Sequence, residues 1–263
     1  MQKNKPPRRN FIKQTAITLA GLSIAPLFSK AHKISGINAD NADGKKLSIL
    51  CVGAHPGDPE FGCGGTMARY SDAGHKVTFL YLTRGEASDP GKTYAEMAAL
   101  RTKEAEAACR ILKAKPQFFE EIDGDTVLSK VKNEEMYNII QFLQPDIVFT
   151  QWPVDAHPDH QVTGLLLLTA WVKWGRKFHL YFYEVNTGIE TMAFTPTDYV
   201  DITAVHEKKK AAMFAHKTQN PVNTYTDYFK PLEEFRGLEA GVKAAEAFIH
   251  FKPLEERASI FGL

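Results

Sequence analysis

The chain has 263 residues, of which 44% are hydrophobic, and its formal net charge is +1. Residues 1–31 hold six lysine or arginine residues and no acidic residue, so the remainder of the chain carries a formal charge of about −5. This composition predicts one domain with a sizeable core, and the acidic balance argues against nucleic-acid binding.

The first segment, residues 1–31, is predicted to be a twin-arginine export signal. Arg8 and Arg9 stand ahead of a short uncharged run from Gln14 to Ser29, and a small residue, Ala31, follows at a plausible cleavage site. A signal of this type predicts a periplasmic or secreted protein.

Two alternatives for this segment are a membrane anchor and a basic nucleic-acid arm. The apolar run is short for a membrane span and Pro26 interrupts it, which favours export, with no stable membrane span once the signal is removed. Residues 32–45 then form a polar spacer, and residues 46–263 form the folded domain.

The three cysteines, Cys51, Cys63 and Cys109, show no pairing pattern and no C-x-x-C spacing. This spacing predicts neither a disulfide framework nor a structural zinc knuckle. Cys51 and Cys109 are interpreted as small buried apolar residues. Cys63 is a minor metal candidate because it lies near a polar loop.

From residue 46 onward, short apolar runs alternate with longer amphipathic runs. The predicted strands cover residues 47–52, 77–83, 117–122, 146–150 and 179–185. The predicted helices cover residues 62–73, 94–112, 126–143, 161–174, 204–216 and 232–248. The alternation indicates parallel βαβ units with right-handed crossovers, which is an α/β, Rossmann-like fold: a single domain with a mostly parallel sheet and helices on both faces. The lysines of the run 208–210 are expected to form a solvated helix face.

Polar residues follow two of the predicted strands. His55 and Asp58 come after the first strand, and a cluster that includes His157 and His160 comes after the fourth. Open α/β sheets bind ligands beyond the carboxyl ends of their strands, at the point where the strand order reverses. If the order is 3-2-1-4-5, the first and fourth strands are neighbours and these four side chains surround one crevice. Imidazole and carboxylate groups placed in this way can converge on one metal ion.

These motifs resemble those of the PIG-L/LmbE family of zinc-dependent N-deacetylases. The matching residues are Ala54-His55-Pro56, Asp58, Glu60, Gly64-Gly65-Thr66 and His157-Pro158-Asp159-His160. Further matches are the runs 82–86 and 216–219 and the helix pattern from Arg101 to Leu112. The resemblance covers roughly residues 46–219 and implies an LmbE-like deacetylase fold.

The resemblance implies a set of site residues. His55, Asp58 and His160 would be the metal ligands, with Zn²⁺ as the first choice and Fe²⁺ as an alternative, because both metals accept two imidazoles and a carboxylate. His157, held by Asp159, would be the cation that stabilises an oxyanion or protonates the leaving amine. Asp159 could equally cap the following helix.

The implied activity is removal of an acetyl or other acyl group from the amide nitrogen of an N-acetylglucosamine-like sugar or glycoconjugate. Arg84 and Arg101 are candidates for contact with this substrate, and surface salt bridges are the alternative role for both. An iron-dependent oxygenase is disfavoured because a parallel α/β sheet is not its usual setting.

One position departs from the family pattern. The family has a second aspartate after His-Pro, usually the general base, and this chain has Gly57 there. Asp155 or Glu60 could accept the proton instead, with Asp155 preferred, or the metal could act without a base. A metal-retaining, sugar-binding pseudoenzyme is the remaining alternative.

Overall fold

A seven-stranded mixed sheet forms the centre of the computed structural model, which describes residues 45–252. The strands are β1 (Ser48–Gly53), β2 (Lys76–Tyr81), β3 (Lys115–Phe118), β4 (Ile147–Gln151), β5 (His179–Tyr183), β6 (Asp198–Asp201) and β7 (Ala245–Phe251). Their order is β3-β2-β1-β4-β5-β7-β6. Strands β1 to β5 are parallel, and β7 runs antiparallel to both β5 and β6. The predicted signal at residues 1–31 and all but the last residue of the predicted spacer lie outside the described residues.

The helices alternate with the parallel strands, as predicted. They are α1 (Asp58–Asp72), α2 (Tyr94–Leu112), α3 (Lys130–Leu143), α4 (Pro158–Lys173), α5 (His206–Met213), α6 (Pro221–Thr224) and α7 (Lys230–Ala240). Short 3₁₀ turns at 203–205 and 217–219 and a π turn at 225–229 complete the C-terminal third. Within residues 45–252, no helix is both long enough and apolar enough to cross a lipid bilayer.

Two hydrophobic clusters cover the two faces of the sheet. Along β1, Ile49 and Cys51 point into one cluster, while Leu50 and Val52 point into the other, because successive side chains of a strand face opposite sides. Helices α1, α2 and α5 pack on the first face, and α3 and α4 pack on the second. The predicted mostly parallel sheet with helices on both faces is confirmed.

Two polar loops leave neighbouring strands at the same edge of the sheet. Strands β1 and β4 pair directly, with Cys51 opposite Phe149, so the loops after Gly53 and Gln151 start side by side. The strand order reverses between β1 and β4, and the sequence predicts the ligand crevice at this point.

Helices α1 and α4 begin earlier than the predicted residues 62 and 161. The structure starts them at Asp58 and Pro158, and in each a proline occupies the first turn, where its missing N–H is not needed. The early starts place Asp58 and His160 on first helical turns, which fixes their backbones more firmly than a loop would.

The prediction of a helix over residues 232–248 is wrong in its second half. Helix α7 ends at Ala240, Gly241 follows with φ +71°, and Ala245–Phe251 is strand β7. Strand β6 was missed altogether. Tertiary pairing with β6 overrides the helical preference of the Ala-Glu-Ala sequence at the start of β7.

The predicted solvated lysine face is also wrong at one position. Lys209 is 1% exposed, and its Nζ atom lies 2.7 Å from both Glu233 Oε1 and Glu246 Oε1. Glu246 also accepts hydrogen bonds from the backbone N–H groups of Gly65 and Thr66. A buried lysine needs such partners, and they come from α7 and β7, which a local charge pattern does not reveal.

Candidate active site

The first polar loop joins β1 to α1 and carries His55 and Asp58. The Oδ2 atom of Asp58 accepts a hydrogen bond from His55 N at 2.8 Å and lies 3.2 Å from His55 Nδ1. Gln151, the last residue of β4, connects this loop to the neighbouring strand, since it accepts a hydrogen bond from Ala54 N at 2.8 Å and donates one to Asp58 Oδ2 at 3.1 Å. The backbone and the adjacent strand therefore hold these two side chains together.

Gly57 stands directly before helix α1 with φ +113°, a region that favours glycine. An ideal Cβ atom at this position would lie 3.7 Å from Phe61 Cε2, an ordinary contact, so the backbone and not the available space disfavours a side chain. Gly57 N donates to Glu60 Oε2 at 3.1 Å, and the Tyr81 hydroxyl donates to Glu60 Oε1 at 2.6 Å. One oxygen of the fully buried Glu60 therefore holds the loop at Gly57, and the other anchors Glu60 to the end of β2.

The second polar loop joins β4 to α4 and carries Asp155 and His157, and His160 follows in the first turn of α4. Asp155 Oδ1 accepts a hydrogen bond from His157 N at 2.8 Å and lies 3.2 Å from His160 Nδ1, and Asp155 Oδ2 accepts one from the Thr191 hydroxyl at 2.9 Å. Asp155 thus faces the outer nitrogen of His160. The other nitrogen, His160 Nε2, lies 3.5 Å from Asp58 Oδ2.

The residues of the two loops form a donor set that fits a metal ion. Asp58 Oδ2 lies between nitrogens of His55 and His160. His55, His157 and His160 each offer a ring nitrogen, and these three atoms lie within 4.8 Å of one another. Imidazoles and a carboxylate at this spacing suit zinc or iron, and the contact of His160 with Asp155 is the kind of support that metal-binding histidines have.

A third loop, between β3 and α3, adds a carboxylate that the sequence reasoning missed. Asp123 Oδ1 lies 3.1 Å from His55 Nε2, and Asp123 Oδ2 accepts a hydrogen bond from Ala87 N at 3.1 Å. Asp123 also belongs to a second group with metal-binding potential, with His55, His157 and Asp159. The sequence contains one signal for Asp123: it follows a predicted parallel strand. The loop after that strand leaves the same end of the sheet as the other two loops.

Asp159 contacts His157 through its backbone and not through its carboxylate. Asp159 N donates to His157 Nδ1 at 3.2 Å, while the carboxylate lies 3.1 Å from His55 Nε2 and accepts hydrogen bonds from Gly124 N and the Thr126 hydroxyl. His157 caps α4, and Asp159 lies in its first turn. Since Nδ1 of His157 accepts a hydrogen bond, the proton of its neutral form is on Nε2.

The histidines and the carboxylates of the site shift one another's pKa. Burial disfavours the charged form of His55, but Asp58, Asp123 and Asp159 outweigh it and raise the pKa of His55 well above its ordinary value. Burial opposes ionisation of Asp58 as well, yet the histidines hold its pKa far below normal. Burial, together with the nearby histidines, lowers the pKa of His157. The direction of these shifts shows that the carboxylates favour a positive charge beside them, as the carboxylates of a cation-binding site do.

The two arginines proposed for substrate contact lie in different environments. Arg101 is 4% exposed and donates to the backbone oxygens of Pro56 at 2.6 Å and Gly85 at 3.2 Å, so it holds the first polar loop. Arg101 also lines the cavity that opens over the donor set. Arg84 forms an ion pair with Glu120 at 2.5 Å on the protein surface.

A cavity of about 350 Å³ opens over the donor set and is lined by His55, Asp58, Asp123, His157 and His160. Its wall adds polar side chains suited to hydrogen bonding, namely Ser88, Asn186, Glu190, Gln219 and Thr224. Burial raises the pKa of Glu190. A cavity of this size with convergent polar groups is typical of a small-molecule site.

The chain is similar to known proteins at moderate sequence identity. The PIG-L family model, described as GlcNAc-PI de-N-acetylase, matches residues 50–171. The chain is 29% identical over 237 residues to the diacetylchitobiose deacetylase of Thermococcus kodakarensis, which covers 82% of this chain and 86% of that protein. It is 25% identical over 238 residues to the 4-oxalmesaconate hydratase of Pseudomonas putida, with 82% and 91% covered. The solved N,N'-diacetylchitobiose deacetylase of Pyrococcus horikoshii superposes with a TM-score of 0.70 at 25% identity, with 83% and 91% covered.

Proposed function

Residues 50–171 are a PIG-L family domain, and from that premise we propose that the chain is a metal-dependent hydrolase of N-acetylated sugars. It removes an acetyl or other acyl group from the amide nitrogen of an N-acetylglucosamine-like sugar or glycoconjugate. The observation that carries this proposal is the convergence of His55, Asp58 and His160, from two loops, on one side of a single cavity. The similarity to a deacetylase of diacetylchitobiose supports the same substrate class.

His55, Asp58 and His160 hold the metal in this proposal, with zinc as the first choice and iron as the alternative. When bound, a divalent ion here supplies Lewis acidity, which polarises an amide carbonyl and lowers the pKa of a coordinated water. Asp155 keeps His160 in the productive orientation by accepting the hydrogen bond of its Nδ1–H.

His157 donates the hydrogen bond that stabilises the developing oxyanion. Its Nδ1 atom accepts a hydrogen bond from Asp159 N, so the proton of the neutral ring is on Nε2, and His157 lines the cavity. We assign this donor role to the neutral ring, in place of the cation that the sequence predicts, because its Nδ1 atom already accepts a hydrogen bond from Asp159 N. Transfer of that proton to the leaving amine would complete the cleavage.

Asp123 is the residue we assign as proton acceptor for the attacking water, in place of the carboxylate that Gly57 lacks. Neither Asp155 nor Glu60 is among the residues that line the cavity, and their carboxylates contact other protein groups instead. Asp123 lines the cavity and lies against His55, within the donor group. The polar side chains of the cavity wall select the substrate. Arg101 holds the first polar loop through its hydrogen bond to Pro56 O.

Amine release tests this function. Purified protein is stripped with a chelator, reloaded separately with zinc or with iron, and incubated with N-acetylglucosamine, N,N'-diacetylchitobiose and an N-acetylglucosaminide. We expect a free amine from at least one of these sugars with the preferred metal and none from the stripped protein. Absence of amine with both metals, at stoichiometric metal content, would contradict hydrolysis.

A binding-only protein is the second candidate, because Gly57 removes the carboxylate on which the family usually relies. In that case the metal-loaded chain would bind the same sugars saturably in calorimetry and release no amine. The two candidates therefore give different results in the same set of sugars.

We also propose that residues 1–31 direct export, to the periplasm or beyond. A reporter enzyme fused after residue 45 should reach the periplasm when Arg8 and Arg9 are both present, because the export machinery reads the arginine pair. Substitution of both by lysine should retain the reporter in the cytoplasm, as cell fractionation would show. Unchanged export of the double-lysine fusion would indicate a general secretory signal instead.

A further inference from the structure

Two of the three cysteines, which stand twelve positions apart in the sequence at the two ends of the first polar loop, are in contact. Cys51 is on β1 and Cys63 is on α1, and their Sγ atoms are 2.9 Å apart. Both side chains are fully buried. The third cysteine, Cys109, contacts the Tyr81 hydroxyl at 3.4 Å instead. The pair therefore stands apart from the remaining thiol.

The local backbone brings Cys63 to this position. Helix α1 is interrupted at Cys63, which has the non-helical angles φ −145° and ψ 22°. The preceding Gly62 allows the helix to approach the sheet closely, because an ideal Cβ atom there would lie 2.3 Å from Tyr183 Cδ2. The break in the helix and the close approach both occur where the sulfur of Cys63 meets the strand.

We infer that Cys51 and Cys63 form a disulfide bond that closes residues 51–63 into a ring containing His55 and Asp58. A disulfide bond is about 2.05 Å long, so the sulfurs need to approach by only about 0.9 Å. The reaction is a two-electron oxidation of two thiols by a disulfide oxidant. With glutathione disulfide, the S–S bond of glutathione breaks, one S–S bond forms in the protein, and two glutathione thiols take up the two protons.

Formation of this bond requires exposure of the two sulfurs, either before folding is complete or during local opening of the folded protein. Burial raises the pKa of both thiols, so little thiolate is present in the folded protein, and no oxidant reaches fully buried sulfurs. Oxidation must therefore precede complete burial or accompany local opening. Once formed, the bond is shielded from reductants by the same burial.

The ring has a physical consequence for the first polar loop. A cross-link between β1 and α1 restricts the unfolded chain, so it stabilises the folded state. The whole loop from Gly53 to Glu60 lies inside the ring. The bond therefore holds both ends of the segment that presents His55 and Asp58, whether or not a metal is bound.

Cysteine mapping after oxidative refolding tests the bond directly. The denatured and reduced full-length chain is refolded in a glutathione redox buffer, then denatured, alkylated, digested without reductant and analysed by mass spectrometry. We expect a cross-linked peptide joining Cys51 to Cys63 and alkylation of Cys109 alone. Refolding with excess dithiothreitol should instead leave all three cysteines alkylated. Alkylation of Cys51 and Cys63 after refolding in the glutathione buffer, or pairing of either with Cys109, would overturn the inference.

Matched variants give a second readout that is independent of metal and of activity. Thermal unfolding is measured with a chelator present for the wild type, Cys63→Ala and Cys109→Ala, each after oxidative and after reductive refolding. The wild type and Cys109→Ala should gain roughly 5–10 °C in Tm on oxidation, as expected for a ring of this size. Cys63→Ala should gain nothing. An equal gain in Cys63→Ala would contradict the assignment.

Discussion

Replacement of Asp123 by asparagine should lower the rate of amine release by about 10² to 10⁴, the usual contribution of a positioned general base. Asparagine keeps the shape of the side chain and can still accept the hydrogen bond from Ala87 N, but its amide does not accept a proton from water. Zinc should still reach one ion per chain when it is supplied in excess, because His55, Asp58 and His160 are unchanged; loss of the contact between Asp123 and His55 should weaken the affinity by about 10- to 100-fold. Steady-state rates and zinc analysis on the same preparation check both expectations.

The control for this substitution is Asp125→Asn, two residues further on and exposed to solvent. It should retain the wild-type rate. Asp155→Asn examines the acceptor that the sequence favours, and Glu190→Gln examines the remaining carboxylate of the cavity wall. If either of these loses more activity than Asp123→Asn at full metal content, Asp123 is not the base.

Much of the fold was predictable because it depends on local patterns. Alternating apolar and amphipathic runs specify parallel βαβ units, and the reversal between β1 and β4 then brings the loops with His55 and His160 together. The donor set follows from these two loops once the strand order places β1 beside β4.

The parts that could not be predicted depend on contacts between distant segments. Asp123 follows a short edge strand, and only the packing of its loop places its carboxylate 3.1 Å from His55. Lys209 looks like a surface residue until α7 and β7 supply Glu233 and Glu246. The contact between Cys51 and Cys63 likewise depends on the break in α1, which spacing alone does not indicate.

Gly57 shows how one residue can have both a chemical and a conformational meaning. In the sequence, Gly57 stands where the family pattern has an aspartate. In the structure its φ of +113° belongs to a conformation that glycine adopts at little cost, and its N–H donates to Glu60. The chain therefore has a backbone reason for glycine here, and in the proposed mechanism a carboxylate from another loop accepts the proton.

Substitution of Asp58 by asparagine should remove most of the bound metal and, with it, the activity. The amide side chain of asparagine would be a neutral and weaker donor at this position, and two imidazoles alone hold a metal poorly. Removal of a residue that only supports a metal ligand weakens metal affinity by about 10- to 100-fold. The loss of metal affinity in Asp58→Asn should be larger than this. Asparagine preserves the acceptor for His55 N, so the loop should keep its form.

A carboxylate at the other end of the same helix provides the matched control. Asp72 is the last residue of α1 and pairs with Lys113 and Lys208 at the surface. Asp72→Asn should keep its metal and its rate of amine release. Thermal unfolding of the metal-free proteins should show whether either variant has lost its fold.

The number of zinc ions per chain, measured by mass spectrometry of elements after dialysis against metal-free buffer, tests the proposed metal centre most directly. The wild type and Asp72→Asn should retain about one zinc ion per chain, as a catalytic site with three protein ligands does. Asp58→Asn should retain far less at an unchanged fold. Stoichiometric zinc in folded Asp58→Asn would contradict a centre built on His55, Asp58 and His160.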